Sequence, residues 1–196
     1  MDDERFLRAL RLALEAHNGQ VRTDTEIPYI AHPIGVASLV MEDGGSDVET
    51  AAALLHDVVE DGGEEYVSRI ADELGDEVVD IVLECSDSVV PAGTPKPPWE
   101  DRKVAYIEAI PSKSAGAVRV STADKLHNAR AILADVRAPG VDVFDRFHAE
   151  RDRVLWYYRT VAGALAAHPD ARPRLSEELL RTVDEIDGLA GGARVG

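Results

Sequence analysis

The sequence predicts an all-α fold, a compact bundle of helices. Apolar residues recur at a spacing near 3.6 through most of the 196 residues, and turn-forming residues separate the apolar stretches. No convincing run alternates apolar and polar residues as a half-buried strand does. The apolar content of 45% is ample for one packed core, so we expect a single domain over residues 1–187.

Turn chemistry bounds each expected helix. Pro28 and Pro33, GGSD at 44–47 and DGG at 61–63 mark the early breaks. The first expected helix carries an apolar stripe formed by Phe6, Leu7, Leu10 and Leu14. The later helices are expected over residues 34–41, 51–59, 67–83, 102–109, 117–136, 143–167 and 176–187. The segment 86–101 contains four prolines and is interpreted as a surface linker, with a functional lid as the alternative. The glycine-rich tail 188–196 is expected to be flexible.

The composition argues against several classes of partner. A formal net charge of -16 opposes binding to nucleic-acid backbones and anionic membranes, because clustered Lys and Arg hold both. No stretch approaches the roughly 20 apolar residues that span a bilayer. The acidic N-terminus and the single cysteine, Cys85, predict a cytoplasmic protein, and the oligomeric state is left open. A small anionic substrate is compatible with this charge if a metal ion locally reverses the field.

The stretch AALLHDVVED, residues 52–61, places several ionisable groups in an otherwise apolar helix. On one continuous α-helix, His56, Asp57, Glu60 and Asp61 lie within about 140° of one another, opposite the apolar face. A solvated helix face would explain the two later acids, but it explains the adjacent His and Asp less well. An imidazole beside a carboxylate is instead a natural part of a divalent-metal site.

Further donors are found upstream and downstream of this pair. In PYIAHP, His32 lies between prolines that restrict the backbone, so its side chain can point back into the bundle. In STADKLHNARAIL, Asp124 lies in an apolar helix with Asn128 on the same face and Lys125 beside it. Each residue alone has a structural explanation, but the order H, HD, D in a helical chain predicts a metal centre.

These motifs identify a family. The pattern H…HD…D resembles the HD-domain metal-dependent phosphohydrolases, which are all-helical. More narrowly, AHNGQVR, PYIAHP, AALLHDVVED and ADKLHNAR resemble, in this order, the (p)ppGpp hydrolase domain of the RelA/SpoT group, and are most similar to the free-standing small alarmone hydrolases. The resemblance covers about residues 13–135. It implies hydrolysis of the 3′-pyrophosphate of (p)ppGpp without synthetase activity.

The resemblance also implies roles for individual residues. The metal ligands are His32, His56, Asp57 and Asp124. The ion in this family is usually manganese, and two nitrogens with two carboxylates also suit Zn²⁺, Fe²⁺ or Co²⁺. Glu60 and Asp61 match the acids that position or deprotonate the attacking water.

The substrate pocket is less closely matched. Arg22 and Asn128 match family residues that contact the nucleotide, and Lys125 is expected to add positive charge. Thr23, however, stands where the family commonly has a second basic residue. A phosphohydrolase for another nucleotide or dinucleotide phosphate, such as NADPH, therefore remains an alternative, as does a nucleotide sensor without turnover.

Other charged and histidine side chains are interpreted as structural. Lys96, Arg102 and Lys103 are expected to be solvated surface charges rather than phosphate ligands. His17 and His127 are expected to be structural or to support the ligands, because four ligands are already available without them.

Overall fold

Helices form nearly all of the regular structure in the computed structural model, which describes residues 2–23, 25–87, 95–138 and 150–192, without the side chains of 61, 62, 191 and 192. Over these residues the chain has no β-strand, only one antiparallel bridge between Val21 and Pro28. The all-α prediction is therefore confirmed. The helices are α1 Asp3–Ala16, α2 Ala31–Glu42, α3 Asp47–Leu55, α4 Val58–Gly62, α5 Glu65–Leu74, α6 Asp76–Cys85, α7 Trp99–Ala109, α8 Ala115–Arg137, α9 Arg151–Ala166 and α10 Pro173–Gly192.

Side-chain caps start three of these helices. The Asp2 carboxylate accepts hydrogen bonds from the first turn of α1, and the Ser114 hydroxyl does the same for α8. At α3, Ser46 and Glu49 form a reciprocal capping box. Each cap satisfies backbone N–H groups that have no partner within the helix.

The long helix α8 lies at the centre of the bundle, in contact with α2, α3, α6, α9 and α10. Its buried side includes Val118, Val120, Ala123 and Leu126 together with the polar Asp124. Because α8 is surrounded by other helices, a carboxylate in its middle is carried into the protein interior. Among the described residues, no helix is long and apolar enough to cross a membrane.

The predicted stripe on the first helix is partly wrong. Leu7 and Leu14 are 62% and 50% exposed, whereas Phe6 and Leu10 pack partly buried against the core. The buried face of α1 is formed by Ala9, Leu12 and Ala13. Alanine allows α1 to pack closely on α3, while two leucines of the predicted stripe, Leu7 and Leu14, face solvent.

The expected continuous helix through residues 51–61 is interrupted at His56 and Asp57, between α3 and α4. His56 Nδ1 contacts the Ala53 carbonyl oxygen at 2.8 Å. In a continuous helix that oxygen would accept from the N–H of residue 57. The His56 side chain therefore occupies a carbonyl that a continuous helix would use for a backbone hydrogen bond, and the helix is interrupted at two of the predicted metal ligands.

Other helix boundaries also differ from the prediction. Segment 67–83 is two helices, because Gly75 adopts φ 95° between α5 and α6. Residues 139–149 lie outside the described structure, including the predicted helix start at 143. Helix α10 continues through the first part of the predicted tail, where Ala190 is buried and its carbonyl accepts from Arg151. This tertiary contact outweighs the low helix propensity of the glycines.

Candidate metal centre

Four ionisable side chains converge from three parts of the chain. His32 lies in the first turn of α2, His56 and Asp57 follow α3, and Asp124 lies in the middle of α8. We call these four residues the histidine–aspartate cluster. His32 Nε2 and His56 Nε2 are 3.2 Å apart. Asp57 Oδ2 lies 3.4 and 3.0 Å from these two nitrogens, and Asp124 Oδ1 lies 3.2 and 3.6 Å from them.

These distances fit a single divalent transition-metal ion. Nitrogen and oxygen donors bound at about 2.0–2.2 Å to one ion are separated by about 2.8–3.1 Å when they are adjacent in octahedral geometry, and by about 3.3–3.6 Å in tetrahedral geometry. His32, His56 and Asp124 each offer a ligand atom, and these atoms all lie within 4.8 Å of one another. Asp57 Oδ2 faces the same two nitrogens. The set of two imidazoles and two carboxylates can therefore hold an ion.

The orientation of His56 supports this fit. Its Nδ1 is 2.8 Å from the Ala53 carbonyl oxygen, which can only accept a hydrogen bond, so Nδ1 carries the proton. In the neutral ring, Nε2 then presents a lone pair to the cluster. The side chain is only 2% exposed, so little water can reach that lone pair. Metal-binding histidines typically donate their other ring N–H to a backbone carbonyl or a carboxylate in this way.

Electrostatics also favour a cation at this position. Burial opposes ionisation of Asp57 and Asp124, but the histidines, and Lys125 in the case of Asp124, hold the pKa of each carboxyl well below its usual value. Burial opposes protonation of His56 as well, yet Asp57 and Asp124 raise the pKa of this imidazole well above its usual value. The Nε2 side of the cluster thus attracts positive charge.

A second layer of side chains holds the two aspartates. The Tyr29 hydroxyl donates to Asp57 Oδ2 at 2.7 Å. Lys125 Nζ lies 2.6 Å from Asp124 Oδ2, and Asn128 Nδ2 donates to Asp124 Oδ1 at 2.6 Å. Lys125 and Asn128, two of the predicted substrate-binding residues, therefore contact Asp124, a predicted metal ligand, directly.

The third predicted substrate residue, Arg22, reaches the same place from the loop before α2. Its backbone N–H donates to the Ile27 carbonyl next to the Val21–Pro28 bridge, which fixes the loop. Arg22 Nη2 donates to Asn128 Oδ1 at 2.9 Å. Its other terminal nitrogen, Nη1, is buried and has no hydrogen-bond partner among the described residues. A buried guanidinium nitrogen of this kind favours an anionic ligand.

The two predicted catalytic acids lie on α4. The Glu60 side chain is 19% exposed, and its Oε1 contacts Lys96 Nζ at 2.9 Å and Arg102 Nη1 at 3.8 Å. Burial and the nearby Asp87 raise the pKa of Glu60, while Lys96 acts against this rise. The Asp61 side chain lies outside the described structure.

The expectation that Arg102 and Lys103 are solvated is wrong. Their side chains are only 16% and 18% exposed, and both form ion pairs with Asp87. Lys96, at 36% exposure, instead pairs with Glu60. The spacing of these residues along the loop gave no sign of this arrangement, since Asp87 and α7 meet only in the folded chain. Residues 88–94 of the predicted linker or lid lie outside the described structure.

Asp87 and Tyr106 also line a cavity of about 290 Å³ beside α6 and α7. Among the side chains that the structure describes, none of the predicted catalytic, metal or substrate residues lines this cavity. It is therefore separate from the histidine–aspartate cluster.

Sequence reasoning missed or undervalued three residues near the cluster. Tyr29 lies within the quoted PYIAHP motif, and its hydroxyl contact to Asp57 was not predicted. His127 was assigned only a general structural role, whereas its Nδ1 lies 2.9 Å from Nδ1 of His32. Burial, His32 and Arg22 lower the pKa of His127 to about 4, so this ring is neutral near pH 7. Gly35 packs directly against His127.

Several known proteins resemble this chain in sequence. A family model for the HD domain matches residues 9–154. Guanosine-3′,5′-bis(diphosphate) 3′-pyrophosphohydrolase MESH1 of Xenopus tropicalis is 40% identical over 129 residues, covering 64% of this chain and 68% of that protein. MESH1 of Homo sapiens is 38% identical over 128 residues, with the same 64% and 68% coverage.

The similarity extends to three dimensions. The solved structure of a metazoan ortholog of SpoT, which hydrolyses ppGpp and plays a role in starvation responses, matches with a TM-score of 0.73. It is 26% identical, and the match covers 95% of this chain and 96% of that one. The helical architecture is therefore shared over nearly the whole length of both chains.

Proposed function

Because the chain belongs to the HD-domain family, we propose that it is a metal-dependent phosphohydrolase that removes the 3′-pyrophosphate of (p)ppGpp. The products are GDP or GTP and pyrophosphate, and the proposal covers hydrolysis without synthesis. The observation that carries it is the convergence of two imidazoles and two carboxylates at the positions of H…HD…D. The MESH1 relatives carry the name of this reaction.

We assign the metal-ligand role to the histidine–aspartate cluster and propose manganese as the ion. The mixed nitrogen and oxygen donor set suits Mn²⁺. A bound divalent cation supplies Lewis acidity, which makes water a nucleophile near neutral pH and offsets the negative charge that develops on phosphate. Tyr29 and Lys125 keep one carboxylate oxygen of each aspartate engaged, which fixes the orientation of Asp57 and Asp124.

The carboxylates of Glu60 and Asp61 are proposed to position or deprotonate the attacking water. Support for Glu60 comes from its place three residues after Asp57, its partial burial and its raised pKa, because a more basic carboxylate accepts a proton more readily. The Lys96 Nζ donates a hydrogen bond to Oε1 of Glu60. Asp61 is assigned from the motif alone.

The proposed partner is a small anionic nucleotide in the cytoplasm. Arg22 supports this role because its buried Nη1 has no hydrogen-bond partner in the described part of the chain. Its Nη2 donates to Asn128, which in turn donates to Asp124. Lys125 adds a positive charge at the centre, where it also contacts the Tyr106 ring at 4.9 Å from the ring centroid. Together these groups offset phosphate charge although the whole chain carries -16.

A second candidate substrate is another nucleotide or dinucleotide phosphate. Thr23 favours it, because an exposed hydroxyl follows Arg22 where the family commonly places a cation. The metal centre determines the reaction class, whereas the pocket determines the substrate.

One assay compares these candidates. Purified protein loaded with Mn²⁺ is incubated with ppGpp, GTP, NADPH or dNTPs, and pyrophosphate and phosphate release are measured separately. We expect rapid pyrophosphate release from ppGpp. Phosphate release from NADPH or a nucleoside triphosphate, with ppGpp left intact, would instead support the second candidate. Binding of ppGpp without any product would support a sensor, and a mixture of ATP and GTP tests for synthesis.

A further inference from the structure

His127 approaches His32 from the side away from the histidine–aspartate cluster. It lies on α8, three residues after Asp124, so one helix supplies both a proposed ligand and a neighbour of another ligand. The Nδ1 atoms of the two rings are 2.9 Å apart, and the ring centroids are 4.9 Å apart. This distance is that of a hydrogen bond between two nitrogens.

Such a bond requires a proton on one Nδ1 and a lone pair on the other. If His127 donates, neutral His32 carries its proton on Nε2, which then faces His56 and cannot bind a cation. If His32 donates, its Nε2 presents a lone pair beside that of His56. The direction of this one bond therefore decides whether His32 can act as a metal ligand.

Gly35 determines how closely His127 can approach. Gly35 lies one turn after His32 on α2. A Cβ atom added there would lie 2.2 Å from His127 Nε2 and 2.4 Å from its Cδ2, which is far inside van der Waals contact. The imidazole is therefore packed on the glycine backbone on one side and on His32 on the other.

We propose that His127 is a positioning residue: seated on Gly35, its Nδ1 accepts a hydrogen bond from His32 Nδ1–H and so directs the His32 Nε2 lone pair toward the cation. This inference rests on the metal centre of the proposed function. It adds a role for two residues that supply no ligand atom themselves. Groups that orient metal-binding histidines typically contribute 10- to 100-fold in metal affinity.

The test compares substitutions that differ in where they place an acceptor. The Oδ1 atom of His127→Asn can occupy the position of Nδ1, whereas the amide of His127→Gln extends toward the position of Nε2. We expect His127→Gln to weaken Mn²⁺ affinity by roughly 10- to 100-fold, and His127→Asn to stay within about threefold of wild type. Affinity is measured by chelator competition, with circular dichroism melts to verify folding.

Gly35→Ala provides a second, independent variant. Its Cβ displaces the His127 ring without changing any hydrogen-bonding group, so we expect a loss of affinity similar to that of His127→Gln. The His32 tautomer is read directly from ¹⁵N chemical shifts of the imidazoles, in metal-free protein and with diamagnetic Zn²⁺. The expected signal is a proton on His32 Nδ1 in both states of the wild type.

The outcomes separate this inference from the proposed function. Equal Mn²⁺ affinity of wild type, His127→Gln and Gly35→Ala, or a His32 ring without a proton on Nδ1, would overturn the positioning role even if ppGpp is hydrolysed. Conversely, wild-type protein that binds Mn²⁺ and leaves ppGpp intact would contradict the proposed function, while the affinity series would still support His127. A wild type that binds neither Mn²⁺ nor Zn²⁺ would contradict both.

Discussion

Helices α2, α3 and α8 contribute to two groups of ionisable side chains that are largely shielded from solvent. One is the histidine–aspartate cluster, from the start of α2, the end of α3 and the middle of α8. The other, which we call the arginine cluster, consists of Asp43 at the end of α2, Glu49 in the first turn of α3 and Arg119 on α8, all at most 12% exposed, and of Arg172 before α10, which is 47% exposed. Arg119 and Asp124 are separated by five residues, or about 7.5 Å along the helix.

The two clusters differ in whether their charges balance. In the arginine cluster, Arg119 contacts Glu49 at 2.5 Å and Asp43 at 3.2 Å, and Arg172 contacts Asp43 at 3.1 Å. Two guanidinium groups therefore match two carboxylates. In the histidine–aspartate cluster, Lys125 is the one formally charged partner recorded for the two carboxylates among the described residues.

This difference separates a structural role from a ligand-binding one. A buried group of charges that is complete in itself ties helices together and needs nothing further. A buried group with an excess of negative charge, and with imidazole nitrogens facing one another, is stable only with an added cation or proton. The comparison therefore predicts that substitutions in the histidine–aspartate cluster change binding and catalysis, and that substitutions in the arginine cluster change stability.

The largest expected effect is that of Asp124→Asn. It replaces a charged ligand oxygen of the unbalanced cluster by a neutral amide oxygen, so we expect the loss of stoichiometric Mn²⁺ and a fall in hydrolysis of more than about 100-fold, because even the loss of a supporting residue costs up to that amount. Elemental analysis and pyrophosphate release measure the two effects. Asp80→Asn, at an exposed position of α6, is the control. Full activity of Asp124→Asn with one bound ion would show that the ligand set is wrong.

Arg119→Met is expected to lower the free energy of unfolding by about 3–5 kcal/mol, since it leaves Glu49 and Asp43 buried without their main partner. Urea denaturation measures this loss. Mn²⁺ content and turnover per folded molecule should stay at wild-type values at low temperature. A variant that unfolds like wild type but loses its metal would contradict the distinction between the two clusters.

Glu60→Gln is expected to lower kcat by roughly 100-fold, about 2.7 kcal/mol of transition-state stabilisation, with the metal content unchanged. The amide keeps the shape of the side chain but cannot accept the proton. Single-turnover kinetics at saturating ppGpp measure the chemical step. Wild-type turnover in this variant would assign the base to another residue.

The smallest expected effect is a shift in pH dependence in Lys96→Met. The ammonium group of Lys96 opposes the rise in the Glu60 pKa that burial and Asp87 cause, so its removal raises that pKa further. Because the base must be ionised, activity is lost as pH falls through this pKa. The acidic limb of the kcat/KM profile should therefore move to higher pH. Lys96→Arg, which keeps the charge, should restore the wild-type limb, and an unmoved limb in Lys96→Met would contradict the coupling.

Much of the fold and the cluster could be predicted because the relevant signals are local. Helical periodicity and turn residues predict the all-α class, and polar residues in apolar stretches single out His32, His56, Asp57 and Asp124. The structure places these four side chains together, within 3.0–3.6 Å across the recorded nitrogen and oxygen pairs.

The rest depends on particular side-chain contacts that the periodicity of the sequence does not encode. The break after α3 depends on the bond from the His56 ring to Ala53, which no helical periodicity reveals. The pairing of Arg102 and Lys103 with Asp87, and the seat of His127 on Gly35, also arise only when helices pack. The predicted α1 stripe failed for a related reason, because the helix buries its alanines rather than all of its leucines.

The most direct test of the central claim is anomalous diffraction at the manganese edge from crystals grown with MnCl₂. The account predicts one strong peak per chain among His32 Nε2, His56 Nε2 and the nearest oxygens of Asp57 and Asp124. A crystal with Mn²⁺ in the solvent and no peak among these four side chains would contradict it.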